Sequence, residues 1–389
     1  MTTLLLIIIY FAFISLGLPD SLLGSIWPIA HRELGVPLAW SGPIFMIISL
    51  GTVVSSLFSD RLTRRLGAGL VTVLSVALTA LALFGFGIST SYWMLCLWAV
   101  PYGLGAGSID AALNNYVALH FKSRHMSWLH CMWGIGASTG PYIMNMILTQ
   151  GGTWHQGYQT ISLIQLILTA VVMLSLPLWK KQRLVSDANT TNSNSPSHAL
   201  SLREIFALRG AKEVMITFFA YCALEQTAGL WASSYLSNFR GIDPVTAAGY
   251  ASLFYLGITG GRAISGFITF LLNDSQMIRL GQGIAALGLL LLLFAPIDAL
   301  SLAGLVIIGL GCAPIYPSII HSTPAHFGTD KSQAVIGVQM ASAYLGNVFM
   351  PPLFGLIARY TSIALYPVYL ILLLILMIIM HERLCKRTA

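Results

Sequence analysis

Apolar residues in this chain of 389 residues gather into runs separated by short polar breaks. Twelve runs are read, with limits near 4–28, 40–59, 69–88, 92–119, 127–149, 158–179, 211–237, 246–272, 277–295, 299–320, 332–357 and 361–380. A run of roughly 20 residues crosses the hydrocarbon core of a bilayer as a helix. Helix is the assignment that physics allows, because a chain in lipid finds no water for its N–H and C=O groups. The longest polar interval, Lys180 to Gly210, contains "SDANTTNSNSPSH", the composition of a flexible linker. Six runs precede it and six follow. The pattern predicts an all-α membrane protein with a six-helix bundle over 1–179, a linker over 180–210 and a second bundle over 211–389.

Composition agrees. The chain is 56% hydrophobic and 8% charged, against about 25% charged in soluble domains. Lys and Arg number 20 against 13 Asp and Glu. That excess is not a nucleic-acid footprint, because the cations sit in short loops between apolar runs. With the N-terminus inside, sixteen cations fall on inner loops, the linker and the C-terminus: Arg61, Arg64, Arg65, Lys122, Arg124, Lys180, Lys181, Arg183, Arg203, Arg209, Lys212, Arg279, Lys331, Arg383, Lys386 and Arg387. Three, Arg32, Arg240 and Arg359, fall outside, and Arg262 lies within span eight. The bias predicts that both termini are cytoplasmic. Asn189-Thr190-Thr191 is a formal glycosylation sequon, silent on a cytoplasmic linker. The N-terminal run lacks a basic leader and a cleavage site, so it reads as a retained span. Five cysteines, at 96, 131, 222, 312 and 385, show no metal-ligand spacing. No metal and no cofactor is expected.

Against this background, ionisable residues inside spans stand out. Asp20 in span one, Asp110 in span four, Glu225 in span seven and Arg262 in span eight lie in apolar runs, with His130 in span five as a companion. Such residues cost several kcal/mol in lipid, so they face a wet cavity or a partner. The alternative is an interhelical ion pair, or an arginine that snorkels to the membrane surface. Asp110 and Asn114 are four apart and share a helical face, as do Tyr221, Glu225, Gly229 and Ala232, and Gln339, Ala343 and Asn347. A carboxylate beside an amide accepts and donates hydrogen bonds to a polyhydroxy ligand. A carboxyl group removed from water is also costly in its charged form, so it can change protonation state in a working cycle. Trp27, Trp128, Trp133, Trp231, Tyr235 and Tyr316 are candidates to stack on sugar rings, with helix packing as the alternative for each.

Two glycine-rich stretches mimic enzyme motifs. "GLGAGS" at 103–108 follows no strand and lies within a helix, which points to small-residue packing and not to a nucleotide loop. "GASTG" at 136–140 matches a nucleophile elbow in letters, but it sits in a span and runs into Pro141.

The inner loop after span two, "SSLFSDRLTRRLGAG", resembles the signature loop of the major facilitator superfamily through Asp60, Arg61, Arg64, Arg65 and Gly67, with Ser56 in place of a leading glycine. "GGRAISGF", with Gly261, Arg262 and Gly266, is similar to the repeat copy of that loop. Within the superfamily the chain resembles the fucose permease branch of sugar–proton symporters. "DAALNNY" at 110–116 is similar to that branch's span-four motif, with Asp110 for glutamate, Asn115 for proline, and Asn114 and Tyr116 matching. "LHCMWGIGASTGP" at 129–141 and "YCALEQTAGLWASSYL" at 221–236 are similar to its span-five and span-seven patterns. Asp20 falls where the branch carries a span-one aspartate.

The resemblance implies a major facilitator fold, two six-helix bundles around a central cavity lined by spans one, four, seven and ten. It implies a proton-coupled symporter of a small neutral polar solute, a monosaccharide above all, and not an enzyme. Asp110, Asp20 and Glu225 are then expected to couple protons. Asp20, Asn114, Glu225, Trp231, Tyr316, Gln339, Asn347, Trp133 and His130 are expected to bind substrate, and Asp60, Arg61, Arg64, Arg65 and Arg262 to form inner gates. The expected partners are a small-molecule substrate, protons and the lipid bilayer, with no nucleic acid; the carrier is expected to be a monomer in the inner or plasma membrane. Three other readings remain: an exporter of drugs or amphiphiles, an intramembrane aspartyl protease using Asp20 and Asp110, and a non-transporting solute sensor.

Overall fold

A computed structural model describes residues 2–37, 40–179, 200–242 and 244–388. The sequon and most of the linker lie outside them. The elements among the described residues are helices. Span one is two helices, Thr2–Gly17 and Leu22–Glu33, and span ten is two, Asp298–Cys312 and Ile315–Phe327. The other ten spans are single helices: Ser41–Leu66, Ala68–Gly87, Tyr92–His120, Ser123–Thr149, Trp154–Leu174, Ala211–Asn238, Pro244–Ile268, Asp274–Phe294, Ser332–Tyr360 and Tyr366–Thr388. Two compact units divide the chain, Met1–Tyr116 with Leu129–Ala199, and Val117–Trp128 with Leu200–Ala389. The turn between spans four and five thus groups with the second unit.

Span one is not the continuous helix read from its hydropathy. Pro19 has no N–H and its ring displaces the carbonyl four residues back, which is that of Ser15. That oxygen is buried in the first unit and takes a bond from Gln165 Nε2 at 2.8 Å, while Gln165 Oε1 accepts from Thr79 Oγ1 at 2.8 Å. One glutamine of span six thereby ties spans one and three. Pro141 frees Ala137 in the same way, and Ser21 Oγ, from the break in span one, donates to the Ala137 carbonyl at 2.6 Å. In the second unit span ten breaks at Ala313–Pro314, and the Cys312 carbonyl accepts from Tyr221 Oη at 3.1 Å. Each break is closed by a side chain from another helix, as lipid requires.

Small residues bring the helices close enough for these bonds. Gly17 of span one lies against the backbone of Trp133 and Ala137 in span five, and Gly136 and Gly140 lie against the carbonyls of Ile14 and Leu18. Both glycines belong to "GASTG", which is therefore a packing stripe. Gly103, Gly105 and Gly107 of "GLGAGS" press on Ile48, Thr79 and Thr52. In the second unit Gly281 meets Gly311, and Gly288 meets Gly304. Gly67, at φ +81°, ends span two and turns directly into span three, a conformation that a side chain disfavours.

Among the described residues, eight spans are long and apolar enough to cross a membrane by composition, and spans four, five and seven, which carry Asp110, His130 and Glu225, fall outside that set. Gly136→Val should overpack the contact between spans one and five and lower stability by about 1–3 kcal/mol. Gly283→Ala, at a position with open space around it, should leave the melting temperature in detergent unchanged or slightly raised. Equal melting temperatures for the two variants would contradict the packing account.

Candidate transport site

The first unit holds two separate acidic centres. Asp20 sits in the break of span one, where Pro19 turns its carboxylate off the helix. Tyr102 Oη donates to Oδ1 at 3.0 Å and Trp133 Nε1 donates to Oδ2 at 2.7 Å. Trp133 and Ala137 are one turn apart on span five, so the same face meets Asp20 through its indole and Ser21 through a carbonyl. Asp20 is itself exposed. Each carboxylate oxygen keeps acceptor capacity beyond its one donor, and an indole lies beside it. A small hydroxylated solute could be held there.

Asp110 is treated differently. It is buried, and Asn114 Nδ2 donates to its Oδ1 at 2.7 Å and to its backbone carbonyl at 3.0 Å. Since that amide nitrogen faces the carboxyl group, Asn114 Oδ1 faces the other way and meets His130 Nε2 at 3.0 Å. An amide oxygen only accepts, so His130 Nε2 carries a proton. Phe13 closes the far side, edge-on to the imidazole at 5.5 Å. The shared face of Asp110 and Asn114 is thus a direct bond, and His130 extends it across to span five.

The second unit pairs its buried charges. Arg262 Nη2 lies 3.4 Å from Glu225 Oε1, with side chains 4% and 20% exposed. Arg262 thus joins span eight to span seven. Tyr316 stands edge-on to Phe218 at 4.7 Å and to Tyr221 at 6.0 Å, with its hydroxyl on Met340 Sδ at 3.3 Å. Gln339 is fully buried; its Oε1 accepts from Thr323 Oγ1 at 3.0 Å, and its Nε2 has no partner among the described residues. Asn347, two turns on, is half-buried. Trp231 spends its indole N–H on the Pro351 carbonyl at 3.0 Å and packs on Phe354. Tyr235 likewise donates to the Leu292 carbonyl, Trp27 is in the hydrophobic core, and Trp128 packs on Phe267.

At the end of span two, Arg64 Nε lies 2.9 Å and 3.0 Å from the two carboxylate oxygens of buried Asp60. Arg61 lies over the Phe58 ring and Arg65 is exposed. Sequence reasoning missed Tyr102, Ser21, Gln165 and Thr323. Each is an ordinary residue whose partner is 16 or more positions away, and helical spacing carries no signal for such pairs.

The fold is matched by known proteins. A family model of the Major Facilitator Superfamily aligns with residues 9–351, and the chain belongs to that superfamily. It is 25% identical over 347 residues to the uncharacterized transporter y4wD of Sinorhizobium fredii, covering 87% of each chain. It is 26% identical over 294 residues to the glucose/mannose transporter GlcP of Bacillus subtilis, covering 74% of this chain and 70% of that one. Among solved structures it is similar to the major facilitator transporter FucP in the outward conformation, with a TM-score of 0.79, 15% identity and 97% of both chains covered. A second structure, of the E. coli fucose:proton symporter FucP, gives a TM-score of 0.75 at 16% identity, covering 97% of this chain and 98% of that one. The protein is a multi-pass membrane transporter with the major facilitator fold. The protease reading of Asp20 and Asp110 falls with the family.

Removing Arg262 leaves Glu225 without its counter-charge. Arg262→Leu should cost about 3 kcal/mol, read as a lower melting temperature in detergent. The double variant Glu225→Gln with Arg262→Leu should recover much of that loss; no recovery would mean that the pair does not act as one neutral unit.

Proposed function

We propose that the protein is a proton-coupled symporter of a small neutral polar solute, most simply a monosaccharide, working by alternating access in the inner or plasma membrane as a monomer with both termini cytoplasmic. The observation that carries this reading is the contrast between the two acids of the first unit. Asp20 is exposed, oriented by Tyr102 and Trp133, and has acceptor capacity left for hydroxyl groups. Asp110 is buried behind Asn114 and His130. One acid is suited to hold a solute and the other to hold a proton.

In this scheme Asp110 loads a proton, which removes a charge that is costly away from water. The neutral, loaded carrier then exchanges its open side by rocking of the halves over 1–179 and 211–389 about the linker at 180–210. Glu225, held by Arg262, serves as an acceptor on the second half, which also supplies Tyr316, Gln339 and Asn347. Trp231 contributes through packing. The Asp60–Arg64 pair with Arg61 and Arg65 forms the inner gate on the first half. Support comes from the named substrates of relatives: glucose and mannose for GlcP, and fucose with protons for FucP.

The test is uptake into proteoliposomes with and without a proton gradient, over a panel of hexoses and pentoses and a set of lipophilic cations. A sugar accumulating only with the gradient supports the reading. A response to the cations alone replaces it with an exporter of amphiphiles. Asp110→Asn should abolish uphill accumulation while retaining gradient-free exchange, and Asp20→Asn should weaken solute binding by at least about tenfold, the scale of a hydrogen bond to a charged group. Full pH-dependent accumulation by Asp110→Asn would remove Asp110 from the coupling step.

A further inference from the structure

The second unit contains a titratable contact that the transport scheme does not use. His321, on helix Ile315–Phe327, places Nδ1 2.6 Å from Asp274 Oδ2 and Nε2 3.1 Å from the Phe121 carbonyl oxygen. Asp274 is the first residue of helix Asp274–Phe294, and its other oxygen, Oδ1, accepts from Ser123 Oγ. Three segments therefore meet on one imidazole and one carboxylate: the starts of spans nine and five, and the last turns of span ten. His321 and Asp274 are partly buried, with side chains 19% and 18% exposed.

Proton counting decides what this contact needs. A neutral imidazole has one N–H and one lone pair. Here both ring nitrogens face oxygen, and the Phe121 carbonyl can only accept. Nε2 must then be the donor, so a neutral ring would turn its Nδ1 lone pair on a carboxylate at 2.6 Å. One further proton must lie between His321 and Asp274, whichever atom carries it. The other ionisable groups on these segments include Arg124, His125, Lys122 and His326, of which His326 also feels the charge of Asp274. Arg124 lies over the Phe270 ring at 5.0 Å and donates to His125 Nε2, and His326 bonds Thr388 Oγ1 at 2.7 Å. Lys122 is exposed.

We propose that His321 and Asp274 share a proton that latches the turn Phe121–Ser123, and that this latch opens as pH rises on the side where it lies. The sign follows from the count. The latched form holds the extra proton, so it is present at low pH and lost as pH rises through the imidazole range. Phe121 lies about three helical turns beyond Asp110 along span four, so the latch fixes the end of the helix that carries the buried acid. With the proposed orientation, that side is the cytoplasm, and the device makes the carrier sensitive to internal pH separately from coupling at Asp110. The placement of the side rests on the transport reading; the latch does not.

Hydrogen–deuterium exchange of purified protein in detergent tests the latch without any transport assay. Exchange in peptides covering 117–128 is compared between about pH 6 and about pH 9, corrected for intrinsic rates, with helix Ala68–Gly87 as an internal control. Protection in the turn should fall by about tenfold with rising pH, as expected for loss of a charge-assisted bond, while the control helix stays constant. His321→Gln should make protection in the turn independent of pH. Asp274→Asn should move the transition to lower pH, because the neutral amide holds the proton less firmly. A wild-type turn with no pH dependence overturns the proposal, as does an unchanged dependence in His321→Gln. Should His321→Gln fail to fold, the wild-type profile and the Asp274→Asn shift decide it.

Discussion

A carbonyl freed inside a bilayer has no water to turn to, and that constraint organises the first unit. Pro19 interrupts span one and exposes the Ser15 oxygen, which Gln165 then claims. Pro141 exposes Ala137, which Ser21 claims from the break itself. These bonds require backbones in near contact, hence Gly17, Gly136 and Gly140 along the same seam. Once the break is held in this way, Asp20 has little freedom: it projects from the turn toward Tyr102 and Trp133. The site is a by-product of repairing a broken helix.

Asp20, Asp110 and Glu225 illustrate three ways of keeping a carboxyl group inside a membrane protein. Asp20 is stabilised by two neutral donors and stays exposed, so it can exchange partners. Asp110 is buried and bonded to an amide that an imidazole backs in turn. Glu225 has a full counter-charge in Arg262. Residues alike on a hydropathy plot therefore differ in what surrounds them.

Much of the architecture is legible in the sequence because lipid leaves few options. Runs of apolar residues give the spans, and the glycine stripes 103–107 and 136–140 are packing seams as their helical context implies. Asp110 with Asn114 is legible because helical spacing puts them on one face. Contacts between spans are not. Nothing local distinguishes Tyr102, Gln165 or His321 from their neighbours, since what each does is fixed by a helix far along the chain. The division of span one is half legible: Pro19 and Asp20 are visible, but hydropathy averages across them. Arg262 is visible as a cation within a span, but its ion pair with Glu225 on the preceding helix is not.

The polarity of spans four, five and seven bears on how the chain enters its membrane. A charged residue at the centre of a helix disfavours insertion by about 3 kcal/mol, and these three carry Asp110, His130 and Glu225. They are poorly suited to partition into lipid one at a time. Spans one to three, which are strongly apolar, emerge first from the ribosome, and so a partly built wall is in place when Asp110 and His130 arrive. Spans seven and eight form a consecutive pair whose opposite charges can neutralise each other before either meets hydrocarbon alone. The order of spans along the chain is then also an assembly schedule, in which the ionisable residues enter as guests of helices already inserted or of each other.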